Sequence, residues 1–170
     1  MISDNSPCVN ICLSQRDMCV TCGRTFEEIR DWSFLRKYER KEINLNISKK
    51  KRILILEDAE YRINDFIKNV DSDKYILILT NHVKDCIYYL KNIKIDILSL
   101  DHDLNGKKHV EIGEDETGYD VALFLKDNPE YKPNKIFIHS KFEKGIRNMI
   151  NLIPEAVVTP LLWENKEGIL

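Results

Sequence analysis

Asp96-Ile97-Leu98-Ser99-Leu100-Asp101-His102-Asp103-Leu104 is an apolar run that ends abruptly in Asp-His-Asp. A run of this length between polar boundaries reads as a buried strand, and open α/β sheets bind ligands just outside the carboxyl ends of such strands. Chemistry is therefore expected immediately past Leu100. Two carboxylates flanking an imidazole suit a divalent cation or acid and base steps, whereas a structural strand end more often carries Asn, Gly or one capping Asp.

On either side of this stretch, β-type runs alternate with helical patterns. Strands are expected over 52–57, 75–80, 95–101, 135–139 and 156–159, and helices over 60–69, 83–92, 119–127 and 143–152. Such alternation makes βαβ units and a parallel sheet with helices on both faces. Right-handed crossovers leave few topologies, of which the receiver or flavodoxin-like order 2-1-3-4-5 fits a five-stranded α/β domain of this length. In that order the crevice opens between the first and third strands. Glu57-Asp58 and Asp101-His102-Asp103, far apart in sequence, are thus expected to converge there.

Carboxylates crowded into one crevice repel unless a cation or shared protons compensate. Glu57, Asp58, Asp101 and Asp103 are accordingly expected to hold Mg2+ or Mn2+, although Glu57-Asp58 alone would also serve as a helix N-terminal device. The fourth strand ends in His139-Ser140. Two imidazoles on neighbouring strand ends, His102 and His139, suit one general base and one general acid, with Ser140 donating to a phosphate oxygen. The polar connection from 105 to 117 exceeds an ordinary βα loop and reads as a lid, with Lys107 and Lys108 as phosphate contacts or as a solvated charge run. Thr117 is the expected N-cap of the next helix, whose first N–H groups would suit an anion.

Leu56-Glu57-Asp58 with Arg62, Ser99 to Leu104, Thr117-Gly118-Tyr119-Asp120-Val121-Ala122, Ile138-His139-Ser140, and Gly145 with Asn148-Met149 together closely resemble the cyclic-phosphate processing receiver-like domain, over about residues 51–162. The resemblance implies a response-regulator receiver fold whose phosphoacceptor pocket has gained histidines. It also implies an active site of Asp58, Asp101, His102, Asp103 and His139, supported by Glu57 and by Arg62, Thr117, Asp120 and Ser140 as substrate-binding groups. Two departures stand out. Lys141-Phe142 replaces the small residue and Asn that commonly follow His-Ser in that family, and Thr159 precedes Pro160 where an ordinary receiver keeps a Lys. The second departure weighs against phosphorelay through Asp101.

The first 51 residues differ in character. They carry ten Lys and Arg against seven Asp and Glu, while the remainder is acidic, within a chain of 170 residues and net charge -2. Cys8, Cys12, Cys19 and Cys22 form C-x3-C-x6-C-x2-C, in a unit too compact to fold on an apolar core alone. Tetrahedral thiolate ligation of Zn2+ or of an iron-sulphur cluster would supply the missing stability. Thr25 with Glu28 makes a capping box that starts a helix carrying Ile29 and Trp32. Ser6-Pro7-Cys8-Val9, the other three cysteines, Gly23-Arg24-Thr25, Glu28-Ile29 and Trp32 resemble a short bacterial family labelled a predicted iron-sulphur protein, over about residues 6–45. The expected organisation is a four-cysteine domain at 1–47, a linker at 48–51 and the receiver-like domain at 52–170. The basic stretch Arg36 to Lys41 reads as a solvated helix face or a contact to RNA or to the second domain.

Composition, at 43% hydrophobic and 32% charged, is that of a soluble globular protein. With no run approaching the roughly 18 apolar residues of a membrane span and no secretion signal at the start, a cytoplasmic location off the membrane is expected. The fifth cysteine, Cys86, falls in an apolar helical pattern and reads as a buried thiol. The functional expectation is a metal-assisted phosphoesterase acting on cyclic phosphates of RNA ends or nucleotides. The competing reading is a non-catalytic receiver-like module that binds a phosphorylated ligand or a protein partner, with the four-cysteine domain as a recruitment element.

Overall fold

The computed structural model describes residues 3–8, 12–104, 106–107, 109–111, 113 and 115–159. Lys108, Pro160 and the last ten residues of the expected receiver-like domain lie outside them. The chain opens with a two-stranded hairpin, β1 (Ser14–Gln15) and β2 (Met18–Cys19), followed by helices α1 (Phe26–Asp31) and α2 (Lys37–Lys49). It continues as β3 (Lys51–Leu56), α3 (Glu60–Asn69), β4 (Tyr75–Thr80), α4 (Val83–Asn92), β5 (Ile97–Leu100), α5 (Gly118–Asp127), β6 (Lys135–Ile138), α6 (Glu143–Leu152) and β7 (Val157–Val158). The sheet runs β4-β3-β5-β6-β7, parallel throughout, which is the expected 2-1-3-4-5 order. No described helix is long and apolar enough to cross a membrane.

Strict alternation along each strand divides the interior into two cores. Leu54, Leu56, Ile76, Ile78, Leu98, Leu100, Ile136 and Ile138 face a large cluster covered by α4, α5 and α6, with Cys86 fully buried among them. Ile53, Ile55, Leu77, Ile97 and Phe137 face a smaller one built around Phe66 of α3. This odd-and-even division governs the site.

The N-terminal unit is docked on the edge strand β4. The Gln15 side chain accepts from the Leu79 N–H at 2.9 Å and donates to the Leu79 carbonyl at 2.6 Å, so one amide pairs both backbone groups of that edge residue. Val20 is fully buried in the larger core, and the Arg52 guanidinium donates to the Thr21 carbonyl at 3.0 Å. Gly23 has a positive φ of 81°, and a Cβ there would come within 2.8 Å of Ile47 and 2.9 Å of Ile76. The expected linker at 48–51 is no joint: α2 runs to Lys49 and β3 begins at Lys51, leaving Lys50 alone between them. The expected capping box is present, with Thr25 and Glu28 bonded reciprocally at 2.8 and 3.1 Å. In the basic stretch, Arg40 is committed to this unit, lying 5.8 Å from the Trp32 ring centre and donating to the Ser33 carbonyl.

Candidate functional site

The three strand ends β3, β5 and β6 each continue the alternation by one residue. Glu57, Asp101 and His139 therefore emerge on the α3 side of the sheet, together with Ser99, two residues before Asp101. All four are buried. His139 sets Nδ1 2.7 Å from Ser99 Oγ and Nε2 3.1 Å from Glu57 Oε2, and its ring packs edge-on against Phe66. Glu57 Oε1 accepts the N–H groups of Asp58 and Ala59 at 2.9 and 2.8 Å, fixing the entry to α3. From the first turn of α3, Arg62 reaches back with Nε 2.6 Å from Glu57 Oε2 and donates Nη2 to Asp101 Oδ2. One guanidinium thus bridges two buried carboxylates.

Electrostatics separate the two acids. Burial raises Glu57, but hydrogen bonds from His139 and the Ala59 N–H, with the His139 and Arg62 charges, outweigh it and hold Glu57 below the usual range. Burial dominates at Asp101, aided by the Glu57 charge, and raises its carboxyl despite His139, Arg62 and a hydrogen bond with the Ser140 hydroxyl. Neighbouring carboxyls pushed in opposite directions occur both in acid–base pairs and in structural ion-pair networks such as this one with Arg62. The cluster opens onto a cavity of about 320 Å³ lined by Tyr61, Arg62, Asp65, His139, Ser140, Lys141 and Val158.

Several expected site residues are placed elsewhere. The even positions Asp58 and His102 leave their strands toward the opposite face. His102 does not pair with His139 on one rim. Its ring is buried between Phe142, at a centroid distance of 5.2 Å, and Gly145 of α6, where a Cβ would meet the imidazole at 2.4 Å. Its Nδ1 lies 2.8 Å from Asp103 Oδ1, and Nε2 is buried without a partner among the described residues. Asp103 organises the long connection rather than an ion, accepting the His109 and Val110 N–H groups at 2.7 and 3.2 Å. Asp58 accepts the Gly106 N–H at 2.6 Å, tying down the start of the same connection. Thr117 and Asp120 form the capping box of α5 and bond each other rather than facing the cavity. The first α5 N–H is not free for an anion: Gly118 donates to the His102 carbonyl at 3.1 Å. Lys107 pairs with Asp115.

The expected four-carboxylate cation site is therefore not assembled. Among the described residues, the group whose ligand atoms lie within 4.8 Å of one another is Glu57, Asp101 and His139, and Arg62 already bridges its two acids. Ser99 was the informative residue left without a role by sequence reasoning. A lone hydroxyl in an apolar strand, two positions before Asp101, marks the face on which that strand carries polar chemistry.

His102→Asn tests its placement, because Asn can keep a donor near the Nδ1 position. Any catalytic activity of the chain should stay within about tenfold of wild type while the melting temperature falls, and a loss of 10² or more would make His102 a proton carrier.

In the four-cysteine unit, Cys12 is hydrogen-bonded to Cys19, and that bond together with the Cys19 charge raises its thiol. Burial raises Cys19 too, but the N–H groups of Cys22, Leu13 and Thr21 outweigh it and bring it down to about 7. A bonded thiol pair with N–H groups aimed at sulphur is part of what a metal-bound knuckle needs, while no three of the four sulphurs lie within 4.8 Å of one another among the described residues.

The five-stranded sheet with its acidic carboxyl-end crevice is that of a response-regulator receiver. Similar solved structures include a CheY-like receiver domain protein from Methanospirillum hungatei JF-1, at 16% identity over 66% of this chain and 83% of that one, with a TM-score of 0.50. The phosphorylated cyanobacterial phytochrome response regulator RcpA matches at 18% identity over 65% and 80%, with a TM-score of 0.52. The receiver domain of a modulated diguanylate cyclase from Desulfovibrio desulfuricans G20 matches at 15% identity over 66% and 83%, with a TM-score of 0.50. At these identities the likeness shows the fold alone. Residues 52–155 match the cyclic-phosphate processing receiver domain, and the chain belongs to that family. Residues 6–51 match a second family, described as a protein of unknown function (DUF1289). No curated protein matches the chain.

Proposed function

We propose that the chain opens a cyclic phosphate, on an RNA end or a nucleotide, in the cavity lined by Arg62 and Ser140, with Asp101 bonded to both behind its wall. The observation that carries this reading is an open cavity lined by Arg62 and Ser140, both of which bond the buried Asp101 carboxyl behind the cavity wall. Arg62 takes a phosphate oxygen, and the Ser140 hydroxyl, bonded to Asp101, faces the attacking water. As the new P–O bond forms, the Ser140 hydroxyl passes its proton to Asp101 and takes one from the attacking water, so that Asp101 is the base. The ring P–O bond breaks, and the same carboxyl returns the proton, through Ser140, to the departing oxygen, leaving a phosphomonoester. Glu57 and His139 hold Arg62 in place from below. His139 lines the cavity, but both its ring nitrogens are engaged, by Glu57 and Ser99, so it supports the site rather than transferring the proton.

The test is turnover of 2',3'-cyclic nucleotides, cyclic dinucleotides and RNA ending in a cyclic phosphate, with products separated by chromatography. Ring opening of at least one class is expected. Tight calorimetric binding with no product on any substrate would overturn the enzyme reading in favour of a phosphate-binding module.

For the N-terminal unit we propose that Cys8, Cys12, Cys19 and Cys22 hold one Zn2+ or one iron-sulphur cluster, which fixes the surface docked on β4 and offers a site for a protein partner. Anaerobically purified protein should carry either one zinc per chain or the visible absorption of a cluster. Cys19→Ser should lose it together with several degrees of thermal stability. Metal-free protein with an unchanged melting temperature would overturn the assignment.

A further inference from the structure

We infer that Arg62 occupies the place a divalent cation would take in this crevice, so that the native site needs no such ion. Three features carry the inference. The guanidinium bridges Glu57 Oε2, 2.6 Å from Nε, and Asp101 Oδ2, the two carboxylates that a crevice ion would share. The carboxylates that could have enlarged the set, Asp58 and Asp103, are turned away onto the N–H groups of Gly106, His109 and Val110. The third potential ligand, His139, has Nε2 directed at Glu57 and Nδ1 at Ser99 Oγ.

The charge argument favours the guanidinium. Two buried carboxylates in a low-dielectric pocket require a compensating charge. The guanidinium supplies it as a hydrogen bond to Asp101 and a close ion pair to Glu57 and is never deprotonated, whereas a hydrated ion would have to strip water to reach the same oxygens. Arg62 is also anchored, since its side chain is 13% exposed while those of its partners are at 0% and 3%. An entering ion must therefore expel a buried, doubly paired side chain. Removing Arg62 should invert the preference. It leaves two carboxylate oxygens and an imidazole nitrogen within 4.8 Å of one another, a donor set that suits Mn2+ better than the all-oxygen preference of Mg2+.

The experiment is a Mn2+ titration of the full chain, followed by electron paramagnetic resonance of the free ion. It is independent of whether any substrate is turned over. Wild-type protein should show no Mn2+ binding that depends on Glu57 and Asp101. Arg62→Met should gain one site at least about tenfold tighter than any in wild type, lost again when Asp101→Asn is added. Should Arg62→Met melt below the assay temperature, Arg62→Lys replaces it; one ammonium cannot bridge both acids, so a weaker gain is expected. Wild-type binding of one Mn2+ abolished by Glu57→Gln or Asp101→Asn would overturn the inference. A folded Arg62 variant that gains no site would overturn it equally.

Discussion

Asp101→Asn is expected to lower ring-opening turnover by about 10²–10⁴-fold, the range for loss of a positioned proton-transfer group. The replacement is nearly isosteric. Arg62 keeps its contact with Glu57 Oε2 at 2.6 Å, so the floor of the cavity remains in place while the group able to take a proton is gone. Substrate binding should change by a few-fold only, because Ser140 and Arg62 still face the cavity. Steady-state kinetics on the substrate class that wild type opens, with circular dichroism to confirm folding, checks the expectation. Turnover within tenfold of wild type would remove Asp101 from the chemistry and leave it as a partner of Arg62.

Gly118→Ala is expected to damage both stability and site. A Cβ on Gly118 would sit 2.0 Å from the Asp101 carbonyl oxygen and 2.9 Å from its carbonyl carbon, a collision with backbone that no side-chain rotation relieves. Helix α5 must move off the end of β5, or the Asp101 peptide must turn. Overpacking of this kind costs about 1–3 kcal/mol, which lowers the melting temperature of a chain this size by roughly 2–12 °C. The Gly118 N–H to His102 carbonyl bond at 3.1 Å would be lost with it, and Asp101, one residue earlier, would be displaced. Calorimetry and kinetics on the same sample test both halves. An unchanged melting temperature with full turnover would show that the α5 terminus has slack the present packing does not display.

Most of the fold was legible in the sequence, for a local reason. Helices α3, α4 and α6 run over 60–69, 83–92 and 143–152 as their periodicity requires, because each carries one apolar face in a polar surround. Strands β5 and β6 stop one residue short of the expected 101 and 139. Asp101 and His139 still donate their N–H groups to the Leu56 and Leu100 carbonyls at 3.0 Å each while their side chains serve the site, so they are the residues whose polarity ended the apolar pattern.

The site was legible only in part. Glu57, Arg62, Asp101, His139 and Ser140 were all recognisable and do converge. Asp58, His102, Asp103, Thr117 and Asp120 were recognisable too, and each turned out to fasten a loop or a helix end. Chain neighbours such as Asp101 and His102 look like one constellation along the sequence, yet a pleated strand sends them to opposite faces. The alternation itself was present in the sequence; Ser99 signalled it.

The sequence by itself determined the order and type of the elements of this protein, the parallel sheet with its acidic carboxyl edge, and the four-cysteine unit. These follow from periodicity and spacing, which are properties of short segments. Only the tertiary structure decided which face of the sheet α3 covers and that Arg62 bridges Glu57 and Asp101. It alone showed that His102 packs on Gly145 and that Gln15 caps the edge at Leu79. Such contacts join residues 39 to 64 positions apart in the cases of Arg62 with Asp101 and Gln15 with Leu79. Register between strands and the seating of helices on the sheet set them, and no local pattern encodes either.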